Sequence, residues 1–126
     1  MILHFENARL IDPEAGSDAP GSLTVSDGVV VARDGAAPKG AKVVECGGHC
    51  LAPGLVDWGV KIGEPGERHR ESFRSAGLAA AAGGVTTIVI QPDTDPAIDD
   101  PAMIDFIQRR GAALNLVNVR AAGAAT

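Results

Sequence analysis

Leu51-Ala52-Pro53-Gly54-Leu55-Val56-Asp57-Trp58-Gly59-Val60-Lys61-Ile62-Gly63-Glu64-Pro65-Gly66 is the stretch at which the chain changes character. Before it, short alternating segments are separated by turn residues. After it, apolar runs alternate with segments of helical period. Within it, Leu55 to Ile62 reads as a strand, and Gly63-Glu64-Pro65-Gly66 has the glycine and proline content of a loop. Glu71 to Ala82 then reads as a helix, because Phe73, Ala76 and Ala80 fall at i, i+3 and i+7 on one face, and Gly83-Gly84 supplies a left-handed cap. Val85-Thr86-Thr87-Ile88-Val89-Ile90 is a β-branched run of the kind found in strands covered on both faces. Asp99-Asp100-Pro101 marks a second helix start, since Asp accepts backbone N–H groups at the N-cap and Pro is tolerated in the first helical position. Met103, Ile104 and Ile107 give that helix its buried stripe. Arg109-Arg110 complements its dipole at the far end, Gly111 stops it, and Leu114 to Val119 reads as the next strand.

Strands alternating with helices imply right-handed βαβ units and a parallel sheet, so the fold class is α/β. A closed (β/α)8 barrel takes about 250 residues. A chain of 126 residues therefore holds only the opening of one and leaves a strand edge unpaired. The remainder of the barrel must come from a longer chain or from another polypeptide that completes it.

Working back from Leu51, the strands are Ile2 to Phe5, Ala8 to Ile11, Leu23 to Val25 (after Pro20-Gly21), Val29 to Ala32 and Ala41 to Cys46. Asp27-Gly28 is a two-residue hairpin signal, because that turn needs positive φ at its central positions. These short strands read as a small β-sandwich over residues 1–52, followed by the start of the barrel over residues 53–126. The composition agrees: 45% of residues are hydrophobic, with only three Phe, one Trp and no Tyr. Small aliphatic filling of this kind suits an α/β core.

A net charge of −5, with no basic cluster longer than Arg109-Arg110, argues against a nucleic-acid or anionic-membrane partner. No apolar run approaches the length of a bilayer span, and the first residues lack a secretory pattern, so a cytoplasmic protein is expected. Cys46-Gly47-Gly48-His49-Cys50 can be read as a small metal site or as a Gly-Gly turn between strands. The turn reading needs no missing fourth ligand. A disulfide is not expected in a reducing compartment.

Five blocks carry a resemblance: Asn7-Ala8-Arg9-Leu10-Ile11-Asp12-Pro13, Leu51 to Asp57, Glu64-Pro65-Gly66-Glu67, Ala79-Ala80-Ala81-Ala82-Gly83-Gly84-Val85-Thr86-Thr87, and Pro92-Asp93-Thr94-Asp95-Pro96-Ala97-Ile98-Asp99. Together they make the chain resemble, almost end to end, the N-terminal third of a dihydroorotase. That zinc enzyme of the cyclic amidohydrolase superfamily closes carbamoyl aspartate to dihydroorotate in pyrimidine synthesis. In the family the first barrel strand ends in Asp-x-His-x-His, whose imidazoles hold the metal. The resemblance therefore implies vestigial metal-site positions at Asp57, Gly59 and Lys61. It places the arginine that grips the substrate carboxylate at Gly63, and the asparagine of the strand-two loop at Asp93. Glycine has no ligand to offer and an ammonium repels a cation, so no metal is expected here and no catalytic residue is assigned.

An ammonium at Lys61 could occupy the old metal position, paired with Asp57 or with acids from the absent strands. Of His4, His49 and His69, none lies at the C-terminal end of a barrel strand, where this fold builds its sites. His69, in the charged loop after the first strand, comes nearest. The resemblance implies a catalytically silent homologue that serves as a structural partner of aspartate carbamoyltransferase, in an oligomer. The alternative is an active amidohydrolase whose zinc is held by the missing strands, or a reaction built on Lys61, Asp57 and Asp93. A third reading, a self-standing domain with the Cys-His-Cys turn as its metal site, conflicts with the exposed strand edge.

Overall fold

Strand β1 (Ile2–Asp12) is continuous where the sequence reads as two short strands. Asn7, at φ 52°, absorbs the register shift between Phe5 and Ala8 as a bulge, so pairing resumes beyond it. The computed structural model describes residues 1–125, and β1 is the centre of the first of its two compact units, Met1–Pro53. Strand β2 (Ser17–Ser26) runs antiparallel to β1 and takes in Pro20 and Gly21, which the sequence places before the strand. Pro20 is tolerated because the next strand, β3 (Val29–Arg33), pairs only with Leu23 to Ser26. Asp27 and Gly28 join β2 to β3 with φ of 49° and 82°, as the hairpin signal requires.

Strands β4 (Lys42–Glu45) and β5 (Cys50–Leu51) both lie parallel to β1. The result corrects the two-layer expectation for this part: the strands form one mixed five-stranded sheet, ordered β3-β2-β1-β4 with β5 also on β1. A sandwich needs a second sheet facing the first, and β4 and β5 spend themselves extending one edge instead. Val29, Val30 and Val31 accordingly remain 57–63% exposed. The Cys46-to-Cys50 segment is the turn between β4 and β5. Gly47 and Gly48 take positive φ, the Gly48 N–H donates to the Asn7 carbonyl at 2.6 Å, and the Arg9 N–H donates to the His49 carbonyl at 3.0 Å.

From Gly54 onward the elements are β6 (Leu55–Val60), α1 (Phe73–Ala82), β7 (Val85–Ile90), α2 (Pro101–Leu114) and β8 (Asn118–Ala121). The three strands form a parallel sheet in the order β6-β7-β8, as the alternating pattern predicts. Ser72 and Ser75 form a reciprocal capping box at the start of α1, which begins at Phe73 rather than Glu71. Past its end Gly84 supplies the left-handed residue at φ 77°, while Gly83 keeps φ at −87°.

Asp100 caps α2 by accepting the Ala102 N–H at 2.7 Å. Gly111 does not stop this helix, which runs on to Leu114 and ends at Asn115, φ 49°. The expected strand from Leu114 is displaced accordingly, to β8. Gly111 is a packing glycine: a Cβ there would lie 2.5 Å from Val119 Cγ2, so only hydrogen lets α2 approach β8 this closely.

The core of this unit is Ile62, Phe73, Ala76, Ile88, Ile90, Ile98 and Ile107, with Met103 and Ile104 packed against it. Strands β6 and β8 are the sheet's two edges. On β6, Leu55, Val56 and Trp58 are 61%, 59% and 79% exposed, so the unpaired edge inferred from the sequence is apolar as well as open. No helix among the described residues is long and apolar enough to cross a membrane.

Candidate functional site at the C-terminal ends of the first two parallel strands

The chain leaves β6 at Val60 and β7 at Ile90 side by side, and the Gln91 N–H donates to the Val60 carbonyl at 3.0 Å. This shared end carries the positions singled out in the sequence. Asp57 is exposed, and its Oδ1 accepts the Gly59 N–H at 3.1 Å, so the carboxylate is engaged with the backbone of its own strand. At Gly59 a Cβ would meet only the tip of the Gln91 side chain, at 3.4 Å. Packing does not demand glycine there.

Lys61 Nζ lies 2.6 Å from Asp93 Oδ2, the two side chains being 73% and 49% exposed. The two positions at which the resemblance implies substitutions of opposite charge are thus bonded to each other. The partner is Asp93, not Asp57 or an acid from an absent strand. The hydrogen bond from Lys61, helped by its charge and opposed by desolvation, holds the Asp93 carboxyl below the ordinary carboxylate range. Because the folded value is depressed, this contribution is complete at neutral pH and is lost as pH falls below about 4, through the depressed value. In an NMR pH titration the Asp93 carboxyl is expected to titrate below an ordinary Asp, and to return to the ordinary range in Lys61→Met. An unchanged midpoint in that variant contradicts the assignment.

Gly63 is fixed by its surroundings. Its N–H donates to the Glu71 carbonyl at 3.0 Å, and its own carbonyl accepts the Glu67 N–H at 2.5 Å. A Cβ at Gly63 would sit 2.2 Å from the Glu67 carbonyl oxygen, so the loop has closed over the place where a side chain would leave the backbone. Gly66, at φ 96°, marks another close approach, since a Cβ there would lie 2.4 Å from the Asp95 carbonyl oxygen. The loops following β6 and β7 therefore approach each other backbone to backbone, as well as through Lys61 and Asp93. Thr94 Oγ1 donates to the Pro96 carbonyl at 2.8 Å, and the Ile98 N–H donates to that of Pro92 at 3.1 Å.

Glu64 is the residue whose role the sequence reading missed. Its side chain is only 9% exposed and accepts from Arg110 Nε at 2.9 Å and from the Phe73 N–H at 3.2 Å, with Arg68 Nε 3.8 Å away. Arg110 is thus the partner of a buried carboxylate, correcting its assignment to the dipole of the α2 terminus. The signal was present in the spacing: Arg110 follows Ile107 by three residues, so it lies on the buried stripe of α2. His69 is exposed in its loop. His4 is buried against Thr24 Oγ1 at 2.9 Å, and His49 Nδ1 lies 2.7 Å from the Cys46 carbonyl oxygen.

The side chains present do not fit a divalent metal. Gly59 has none, Lys61 brings a cation, and Asp57 is turned to its own backbone. Among the described residues no group of three or more His, Cys, Asp or Glu is placed to hold an ion.

A dihydro-orotase-like family model matches residues 48–126. The dihydroorotase of Pelobacter propionicus is 40% identical to this chain, over all of the chain and 30% of that protein. The dihydroorotase of Anaplasma phagocytophilum is 39% identical, over 97% of the chain and 29% of that protein. The chain thus spans about three-tenths of the length of these relatives. Among solved structures, the L-hydantoinase (dihydropyrimidinase) of Arthrobacter aurescens superposes with a TM-score of 0.86 over 96% of the chain and 27% of that protein, at 24% identity, a likeness of fold alone. A D-hydantoinase superposes with a TM-score of 0.63 at 27% identity, over 73% of this chain and 20% of that one.

Proposed function

Since the chain belongs to the dihydro-orotase-like family, we propose that it is a non-catalytic homologue of dihydroorotase, acting in pyrimidine biosynthesis as a structural partner of aspartate carbamoyltransferase in the cytoplasm. The observation that carries this reading is the Lys61–Asp93 bond at the C-terminal ends of β6 and β7. Where the resemblance calls for a metal-binding imidazole and a neutral amide, the chain has an ammonium and a carboxylate that satisfy each other. Metal-assisted hydrolysis needs an ion to lower the pKa of water and polarise the amide, and this part of the mouth contributes no ligand to one. Recognition of a carboxylate by a bidentate guanidinium is also lost, because Gly63 has no side chain and no room for one.

A fold signature kept without its chemistry is consistent with a surface retained for binding. The sheet's open edge at β6, with Leu55, Val56 and Trp58 uncovered, calls for the remainder of the barrel or a completing chain.

Native mass spectrometry of the protein purified from its own cells, with a dihydroorotase assay on the same sample, tests the proposal. The expected result is a metal-free complex that contains the carbamoyltransferase and does not interconvert carbamoyl aspartate and dihydroorotate. Stoichiometric zinc together with turnover overturns it in favour of an active amidohydrolase whose metal is held by other strands. A metal-free, inactive protein that never accompanies the transferase removes the partner from the proposal.

A further inference from the structure

Strands β3 and β4 lie at opposite ends of the order β3-β2-β1-β4, so residues 34–41, which join them, must cross one face of the first sheet. They cross the face that carries His4, because Asp34, Ala36 and Ala37 line a cavity of about 900 Å³ together with His4, Ala8 and Gly21. The crossing is fastened at its start. The Asp34 N–H donates to the Ser22 carbonyl at 2.9 Å, and Asp34 Oδ1 accepts the Ser22 N–H at 3.3 Å. Alanine and glycine on both sides leave the space between the sheet and the crossing segment unfilled, where larger side chains would close it.

Two features of the cavity point to a ligand. His4 is 2% exposed, and its Nδ1 lies 2.9 Å from Thr24 Oγ1. Among the described residues no buried side-chain nitrogen or oxygen is sealed in without a partner, so what exposure the ring keeps includes Nε2, turned into the cavity and unpartnered by the chain. The second feature is charge. Glu6, Arg9, Asp18 and Asp34 are the formally charged residues of the lining. Arg9 is engaged by Asp18, Nε to Oδ1 at 2.7 Å, and among the described residues neither Glu6 nor Asp34 has a cation within salt-bridge reach. A wall with two uncompensated carboxylates repels anions and favours a cation. That cation is organic, because among the described residues no three His, Cys, Asp or Glu are grouped to hold a metal ion.

We propose that this cavity binds a primary ammonium carried on a short aliphatic chain: His4 Nε2 and Asp34 accept its N–H groups, and the alanines of the two walls cover its methylenes. The imidazole is then neutral with its proton on Nδ1, donated to Thr24 Oγ1, which leaves the Nε2 lone pair for the ligand. Asp34 supplies the opposite charge through Oδ2, since Oδ1 already accepts from Ser22.

The test is an NMR titration of the whole protein, labelled with ¹⁵N at histidine and held at mildly alkaline pH, where an ordinary imidazole is neutral. The probe is n-butylamine, with n-butanol as its uncharged counterpart and butyrate as an anion of similar size. The expected result is a saturable shift of the His4 ring nitrogens with n-butylamine and none with the other two, the ¹⁵N shifts reporting a proton on Nδ1 and none on Nε2. Asp34→Asn keeps an acceptor for the Ser22 N–H and tolerates the φ of 61° at this position, so the fold is retained. It should weaken binding about tenfold, the loss of one charge-assisted hydrogen bond. Glu14→Gln makes the same change of net charge outside the lining and should bind as the natural sequence does. A response without saturation, an equal response to n-butanol, equal weakening in Asp34→Asn and Glu14→Gln, undiminished binding in Asp34→Asn, or a proton on Nε2 overturns the site. Zinc, turnover and the transferase enter none of these readouts, so failure here and failure of the proposed function are told apart.

Discussion

Gly63→Arg is expected to cost about 3 kcal/mol of stability, the upper range for forcing atoms into an already filled space. The residue that the family resemblance places at this position cannot be restored by itself. The clash is with the Glu67 carbonyl oxygen, 2.2 Å from where the first side-chain carbon would sit, so it does not depend on how the rest of the side chain is turned. Gly63→Ala should therefore be nearly as damaging as Gly63→Arg. Relief would require breaking the hydrogen bonds that Gly63 makes with Glu67 and Glu71, which hold the loop between β6 and α1. Urea unfolding of the two variants checks this through a lowered midpoint with little change in slope. A natural midpoint for Gly63→Ala would mean that the loop relaxes freely and that the missing arginine is an ordinary surface change.

The second large effect belongs to Glu64. Glu64→Ala removes the partner of Arg110 and the acceptor of the Phe73 N–H at the start of α1. Breaking a buried ion pair by deleting one member costs about 3–5 kcal/mol. The low end is expected, because Arg110 is 35% exposed and recovers part of its hydration. Glu64→Gln keeps an acceptor for Phe73 and should lose roughly half as much. Replacing both members, as Glu64→Gln with Arg110→Met, should recover stability relative to Glu64→Ala, since no unpaired charge then remains between α1 and α2. Thermal unfolding of the three variants separates these cases. If the double variant is the least stable, the pair contributes more than the cost of burying it, and the explanation by an orphaned charge is wrong.

Local signals explain where the sequence was informative and where it was not. The β-branched run of β7 and the Asp-Pro start of α2 depend on neighbouring residues only, and both stand where their residues place them. The end of α2 does not. Gly111 carries the ordinary mark of a helix stop, yet its reason for being glycine is Val119, on a different element. The same holds for β1, whose two apparent halves are joined by one residue of positive φ, and for the first sheet, where the side of β1 chosen by β4 and β5 cannot be read from either strand alone.

At the site, each departure at Gly59, Lys61, Gly63 and Asp93 was visible as a residue type unsuited to its expected role. That Lys61 and Asp93 answer each other was not visible, because they are 32 residues apart. Glu64 was hidden differently. It sits in a Glu-Pro-Gly block that reads as a loop signature, and only the fold brings Arg110 to it across 46 residues.

The exposed edge strand also makes the chain its own optical probe. Trp58 is the sole tryptophan in a sequence without tyrosine, and at 79% exposure its indole is bathed in water. Near-ultraviolet emission therefore comes from one known point on the uncovered edge of the parallel sheet. Any polypeptide that pairs with β6 and lays apolar side chains over Trp58 removes that water, so the colour of the fluorescence reads out, without a label, whether the edge is dressed or bare.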